Sequence, residues 1–153
     1  MAYRSEKEKK NTPVKLTPEE LRYMALLHEL TGVHVRDCVI DDRFNRIIFV
    51  VNPDEIGRAI GPRGINVQRL RKILGKDIEI VGYSNKLEDM AKLALVPARV
   101  RDVRVVERAG KKTVYVSVEP TDKGIAIGRN GKNVARVKTL LSRYFGIDNV
   151  VIV

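Results

Sequence analysis

Two glycine pairs carry the residues whose types and spacing point to chemistry. Gly61 and Gly64 bracket Pro62 and Arg63 in the run AIGPRGINVQRL, and Gly128 and Gly131 bracket Arg129 and Asn130 in AIGRNGKNVARV. Glycine in a helix interior costs about 1 kcal/mol relative to alanine, so two of them this close mark a required break. An apolar residue, Ile60 or Ile127, leads into each break, and the spacing predicts that the next helix begins at the second glycine. The first N–H groups of a helix lack intrahelical partners, and the helix dipole adds positive potential there. That combination attracts an anion, phosphate above all. Glycine also removes the β-carbons that would hold a sugar-phosphate chain away from the backbone. Arg63 and Arg129 add one cation to each loop. Beyond the loops, Asn66 with Arg69 and Asn133 with Arg136 stand three apart on a helix face. An amide and a guanidinium there can hydrogen-bond base edges or phosphates, or form an ordinary solvated face.

Enzymatic readings of the same residues fail. A Walker A loop ending on Gly131 and Lys132 needs glycine at Ala126 and Ser or Thr at Asn133. A dinucleotide fingerprint would place its first glycine at Ala59 or Ala126 and needs a strand running straight into the loop, where a helix-like segment stands instead. Nucleophile–base pairs and clustered carboxylates are missing, so binding rather than catalysis is expected, with no cofactor and no small-molecule substrate. The single cysteine, Cys38, excludes an internal disulfide and a cysteine-based metal site, and its apolar surroundings place it in a core. His28 and His34 lack a third metal ligand in spacing and are expected to pack.

Composition supports a polyanionic partner. Among 153 residues, Lys plus Arg outnumber Asp plus Glu by 29 to 19, giving a net charge of +10 and a pI near 9.9. Nucleic acid comes first and anionic membrane second, against the alternative of a densely charged thermophile-like surface. No apolar run approaches the ~20 residues that span a bilayer. The start, MAYRSEKEKKNTPVK, lacks the apolar core of a signal peptide. A cytoplasmic protein without a membrane partner is therefore expected.

The elements that position the loops are written twice. Residues 1–16 are expected to be a flexible basic arm. In TPEELRYMALLHELTG, Thr17, Pro18 and Glu20 form a capping box and Gly32 ends the helix. Strand-like VRDCVID and RIIFVVN follow, then the short helix PDEIGRAI, the glycine break, the helix INVQRLRKILG and the strand DIEIV. Shifted by 67 positions, Pro53 falls on Pro120, Gly57 on Gly124, Ala59 on Ala126, Ile60 on Ile127 and both loop glycines on their counterparts. Asn66, Val67 and Arg69 fall on Asn133, Val134 and Arg136. The second copy opens with the helix NKLEDMAKLAL, for which Asn85 and Glu88 are the expected capping box, and its last helix is about one turn longer. Val67, Leu70, Ile73 and Leu74, with Val134, Val137, Leu140 and Leu141, are expected to face the core. Two domains follow, residues 17–82 and 83–153, joined by the short GYSN.

The paired Ile-Gly-x-x-Gly runs resemble the core of KH domains, and the order α-β-β-α-α-β resembles the type II arrangement. The tandem, with IGRNGKNV, DIEIVGYS and VPARVRDV, is similar to the KH pair of the NusA family, and closest in kind to short archaeal NusA-like proteins. The resemblance spans residues 17 to 153. It implies an α+β fold of two tandem type II KH domains, each a three-stranded mixed sheet covered by helices. The chain is expected to depart from bacterial NusA by having no room for an N-terminal polymerase-binding domain or an S1 barrel. It further implies single-stranded RNA binding through Ile60, Gly61, Pro62, Arg63, Gly64, Asn66 and Arg69, and through Ile127, Gly128, Arg129, Asn130, Gly131, Lys132, Asn133 and Arg136. RNA polymerase is a further implied partner, and the implied role is transcription termination or antitermination. A ribosomal or ribosome-assembly protein and a protein-interaction module are the alternatives. Aromatic residues make up 5% and tryptophan is absent, which argues against a stacked-base platform. A KH groove needs none, since bases lie on an aliphatic floor, here Ile60 with Ile78 to Val81, and Ile127 with Val150 to Val153.

Overall fold

The computed structural model describes residues 14–153. Most of the expected arm falls on residues 1–13, outside the described residues, and Val14–Leu16 carry no regular structure. The chain divides into two compact units, Lys15–Tyr83 and Ser84–Val153.

In the first unit, helix α1 (Pro18–Thr31) starts where the capping box places it. Thr17 Oγ1 accepts from the Glu20 N–H at 3.1 Å, and Glu20 Oε1 accepts from the Thr17 N–H at 2.8 Å. Gly32 stops the helix in the left-handed region at φ 75°. Strands β1 (Val35–Asp41) and β2 (Arg46–Val51) pair antiparallel. A turn of 3-10 helix at Pro53–Glu55 runs into α2 (Ile56–Ile60), the glycine loop follows, and α3 (Ile65–Leu74) leads to β3 (Asp77–Gly82), parallel to β2.

The second unit repeats this order with α4 (Leu87–Leu95), β4 (Val100–Arg108), β5 (Lys111–Val118), α5 (Lys123–Ile127), α6 (Lys132–Phe145) and β6 (Asn149–Ile152). Each sheet is three-stranded and mixed, in the orders β1-β2-β3 and β4-β5-β6. Both first strands are irregular at the same point, between Val35 and Asp37 and between Val100 and Asp102. The fold is the expected α+β pair.

Leu27, Val33, Ile47, Phe49, Val51 and Leu70 form the centre of the first core, and Val114, Val116, Val137, Leu140 and Leu141 are fully buried in the second unit. Each fully buried side chain of this size contributes about 1.5–3 kcal/mol. Cys38 is buried, as expected. The middle strands differ. All six residues of β2 are buried, the charged Arg46 together with the apolar run at 47–51, whereas β5 alternates, with Tyr115 outward between buried Val114 and Val116. One face of the second sheet is therefore open.

Two local expectations are corrected. Helix α4 is not capped by Asn85 and Glu88; its N-cap is Lys86, without a side-chain cap bond. Ser84 Oγ accepts the Lys86 N–H at 3.1 Å, and this hydroxyl turn delays the helix past Asn85. Ile73 does not face the core: it is 59% exposed, because α3 buries only Leu70 fully, with Val67 and Leu74 packed beside the core. Among the described residues, no helix is long and apolar enough to cross a membrane.

Candidate nucleic-acid interface

The two loops share one backbone shape. Gly61 and Gly128 lie at φ/ψ 80°/166° and 76°/169°, a region open essentially to glycine alone. Arg63 and Asn130 occupy the left-handed region at 56°/25° and 58°/24°, and Gly64 and Gly131 follow at 72°/23° and 76°/19°. Left-handed backbone costs an ordinary L-residue roughly 1–2 kcal/mol and asparagine less, so the first loop holds the greater strain. Short bonds close each turn: Gly64 N–H to Gly61 O at 3.0 Å, and Gly131 N–H to Gly128 O at 3.1 Å. Gly64 and Gly131 then serve as N-caps of α3 and α6 without any side-chain cap bond. A glycine cap has no side-chain oxygen to offer the first turn, and the Ile65 and Lys132 N–H groups donate back to Pro62 O and Arg129 O within the loop.

The first and second glycines answer different needs. A β-carbon on Gly61 would lie 2.7 Å from Asn66 Nδ2, and one on Gly128 would lie 2.8 Å from Asn133 Cγ. At Gly64 the space is open, and at Gly131 the nearest atom is Val134 Cγ1 at 3.8 Å. The first glycine therefore makes room for an asparagine of the protein itself, while the second supplies a positive φ beside free space. Asn66 Nδ2 donates to Arg58 O at 3.1 Å and Asn133 Nδ2 donates to Ile125 O at 2.7 Å, tying the helix after each loop to the helix before it. These amides hold the loop rather than stand on a solvated face.

The arginines diverge. Arg69 is exposed, but Arg136 is only 8% exposed, which corrects the expectation that it stands on an open face. Its Nε donates to Ala94 O at the end of α4 at 3.0 Å, and its Nη1 donates to Asn133 Oδ1 at 3.2 Å. The second loop is thus wired to α4 through Asn133 and Arg136. The loop charges are also displaced by one position, because Arg63 corresponds to Asn130 and Pro62 to Arg129. All four of these side chains are exposed, while Ile60, Asn66, Lys132 and Asn133 are half-buried.

Ile127 is 37% exposed, while Ile78, Val81, Val150 and Ile152 of the floor strands are buried. Two exposed apolar residues beside the loops, Ile65 at 42% and Ile125 at 46%, were not among the expected contacts. Ile65 lies off the Val67–Leu70–Leu74 stripe, and that displacement was the available signal. In the second unit, Asp122 anchors the approach to α5. Its Oδ2 accepts from Arg99 Nε at 2.8 Å and from the Arg99 N–H at 2.9 Å. The Arg99 side-chain bond and then its backbone N–H hold this carboxyl down at about 2, against the opposing effect of burial.

The pattern of the KH domain family matches residues 21–104, and that of the NusA-like second KH domain matches residues 87–151. Over 137 residues the chain is 35% identical to the probable transcription termination protein NusA of Halococcus morrhuae, covering 90% of this chain and 96% of that one. The chain belongs to the NusA family of KH-domain proteins. A second NusA, from Methanococcus vannielii and also called a probable transcription termination protein, is 34% identical over 92% of this chain and 80% of its own length. The crystal structure of APE1850 matches with a TM-score of 0.83 and 45% identity, covering 90% of this chain and 100% of that one. The NusA-family pair of KH domains thus accounts for the duplicated loops.

Proposed function

We propose that this chain is an RNA-binding transcription termination or antitermination factor that grips single-stranded RNA with both glycine loops and works beside RNA polymerase. The observation that carries the reading is the repetition, within a few degrees, of a strained glycine loop opening an uncapped helix in both units. A strand's phosphates lie against the bare glycine backbone at the helix start, Arg63 and Arg129 add charge, and bases lie toward Ile60 and Ile127. A loop of this kind clamps the backbone of about four nucleotides.

The test is fluorescence anisotropy with an unstructured RNA and a hairpin stem of equal length. The single strand is expected to bind more tightly, and P62D/R63D or R129D/N130D is expected to lower affinity at least tenfold with little change in Tm. Aspartate tolerates the left-handed position, so the backbone need not move. Equal affinity for stem and strand, or full affinity in both double variants, overturns the proposal. Co-purification with RNA polymerase rather than with ribosomal subunits separates transcription from a role in translation.

A further inference from the structure

The open face of the second sheet lies apart from the glycine loops. Arg104, Val106 and Arg108 of β4 stand opposite Tyr115, Thr113 and Lys111 of β5, and together they line a shallow cavity of about 710 Å³. Tyr115 is 37% exposed, with Arg104 directly across from it. Arg108 and Lys111 also oppose each other, a like-charge pairing that destabilises a hairpin unless something offsets it. Among the described residues, none of these three cations has an ion-pair or hydrogen-bond partner. Asp102, two residues before Arg104, does not line the cavity.

Three cations without counter-ions and one exposed ring on an open sheet suit a flexible polyanion with planar groups. Phosphates satisfy the cations, and a base stacks on the ring. An acidic peptide would satisfy the charge and leave the ring without a flat partner. From Arg104 to Arg108 the strand extends about 13 Å, a tract of a few nucleotides. We propose that the open β4-β5-β6 face is a second single-stranded RNA site, in which Tyr115 stacks a base while Arg104, Arg108 and Lys111 contact phosphates. It requires a single strand of RNA but no contact by the glycine loops.

Photo-crosslinking of the full chain to a 4-thiouridine-substituted oligouridylate of about 12 nucleotides, within the usual range of single-strand site sizes, tests it by peptide mapping. Crosslinks are expected at Tyr115. Y115A should weaken binding roughly tenfold while Y115F retains it. R108E/K111E should lower the salt dependence of log K by ~1.4, two contacts' worth, without lowering Tm. Crosslinks confined to the glycine loops overturn the proposal and spare the loop reading. Crosslinks at Tyr115 alone uphold it and remove the loop reading, and an absence of crosslinks overturns both. If an oligoglutamate peptide binds this face and the oligouridylate does not, the face docks protein and the proposal fails.

Discussion

The side-chain amide of Asn66 occupies the space that a β-carbon on Gly61 would need, at 2.7 Å. The glycine and the asparagine are therefore one structural unit. In the second copy the corresponding contact includes the Asn133 backbone nitrogen, 2.9 Å from a β-carbon on Gly128. A side chain can be removed and a backbone nitrogen cannot. G61A is expected to cost about 2–4 kcal/mol from clash and strained backbone. N66A should relieve part of that cost, giving a favourable coupling of about 1 kcal/mol in a double-mutant cycle. The coupling between G128A and N133A should be smaller. Equal couplings measured by urea unfolding would contradict the assignment of backbone crowding to the second loop alone.

Arg136 and Arg69 occupy the same place in the repeat and should behave differently. R136A removes charge-assisted bonds to Ala94 O and Asn133 Oδ1 and is expected to cost about 2–4 kcal/mol. R69A, at an exposed site, should change stability by less than about 0.5 kcal/mol. Thermal unfolding of the two single variants checks the contrast.

Asp122 gives the second unit an acid-sensitive anchor. Its folded value of about 2 lies below the ordinary 3.8, so its contribution to stability is complete above the ordinary value and is lost as pH falls through about 2. D122N is expected to be less stable at neutral pH. Its Tm should also decline less steeply than that of the parent between about pH 5 and pH 2. Parallel Tm profiles for the two proteins would remove Asp122 from the acid response.

The first unit holds a buried cation. Arg46 has no exposed surface, and it bonds Asp41 at 2.8 Å and Glu79 at 3.2 Å beside the ring of Phe44. Taking away one anion leaves the charge partly uncompensated, so E79A is expected to cost about 3 kcal/mol. R46M, which removes the charge and keeps the bulk, should cost less. Denaturant midpoints that order the two variants the other way would show that the ion pair contributes little.

Much of this architecture is legible locally. The capping box at Thr17 and the glycines that end helices depend on neighbours a few positions away, the 67-residue repeat shows when the chain is laid against itself, and each behaves as its chemistry requires. The burial of Arg136 and Arg46 depends on partners far along the chain, Ala94 at 42 positions and Glu79 at 33. No pattern in a short window contains that information. The role of Asn66 and Asn133 falls between these cases. Their spacing from the loop is visible, but the direction of the amide, back toward Arg58 O and Ile125 O, follows from the fold. The lone tyrosine in KTVYVSV was likewise too little to announce an aromatic site by composition. Only an alternating strand with an uncovered face gives Tyr115 its exposure.

Helix α6 runs 14 residues where α3 runs 10, and the additional turn lies at the end remote from its glycine loop. The strands that follow still enter their sheets at equivalent places, Asp77 beside Arg46 and Asn149 beside Thr113. Length has thus been added without disturbing either the grip or the register. One end of this helix is held constant by what it touches, and the other is free to grow or shrink by about a turn, ~3.6 residues. A protein assembled from such units can lengthen one end of a module while its hold on a strand stays the same.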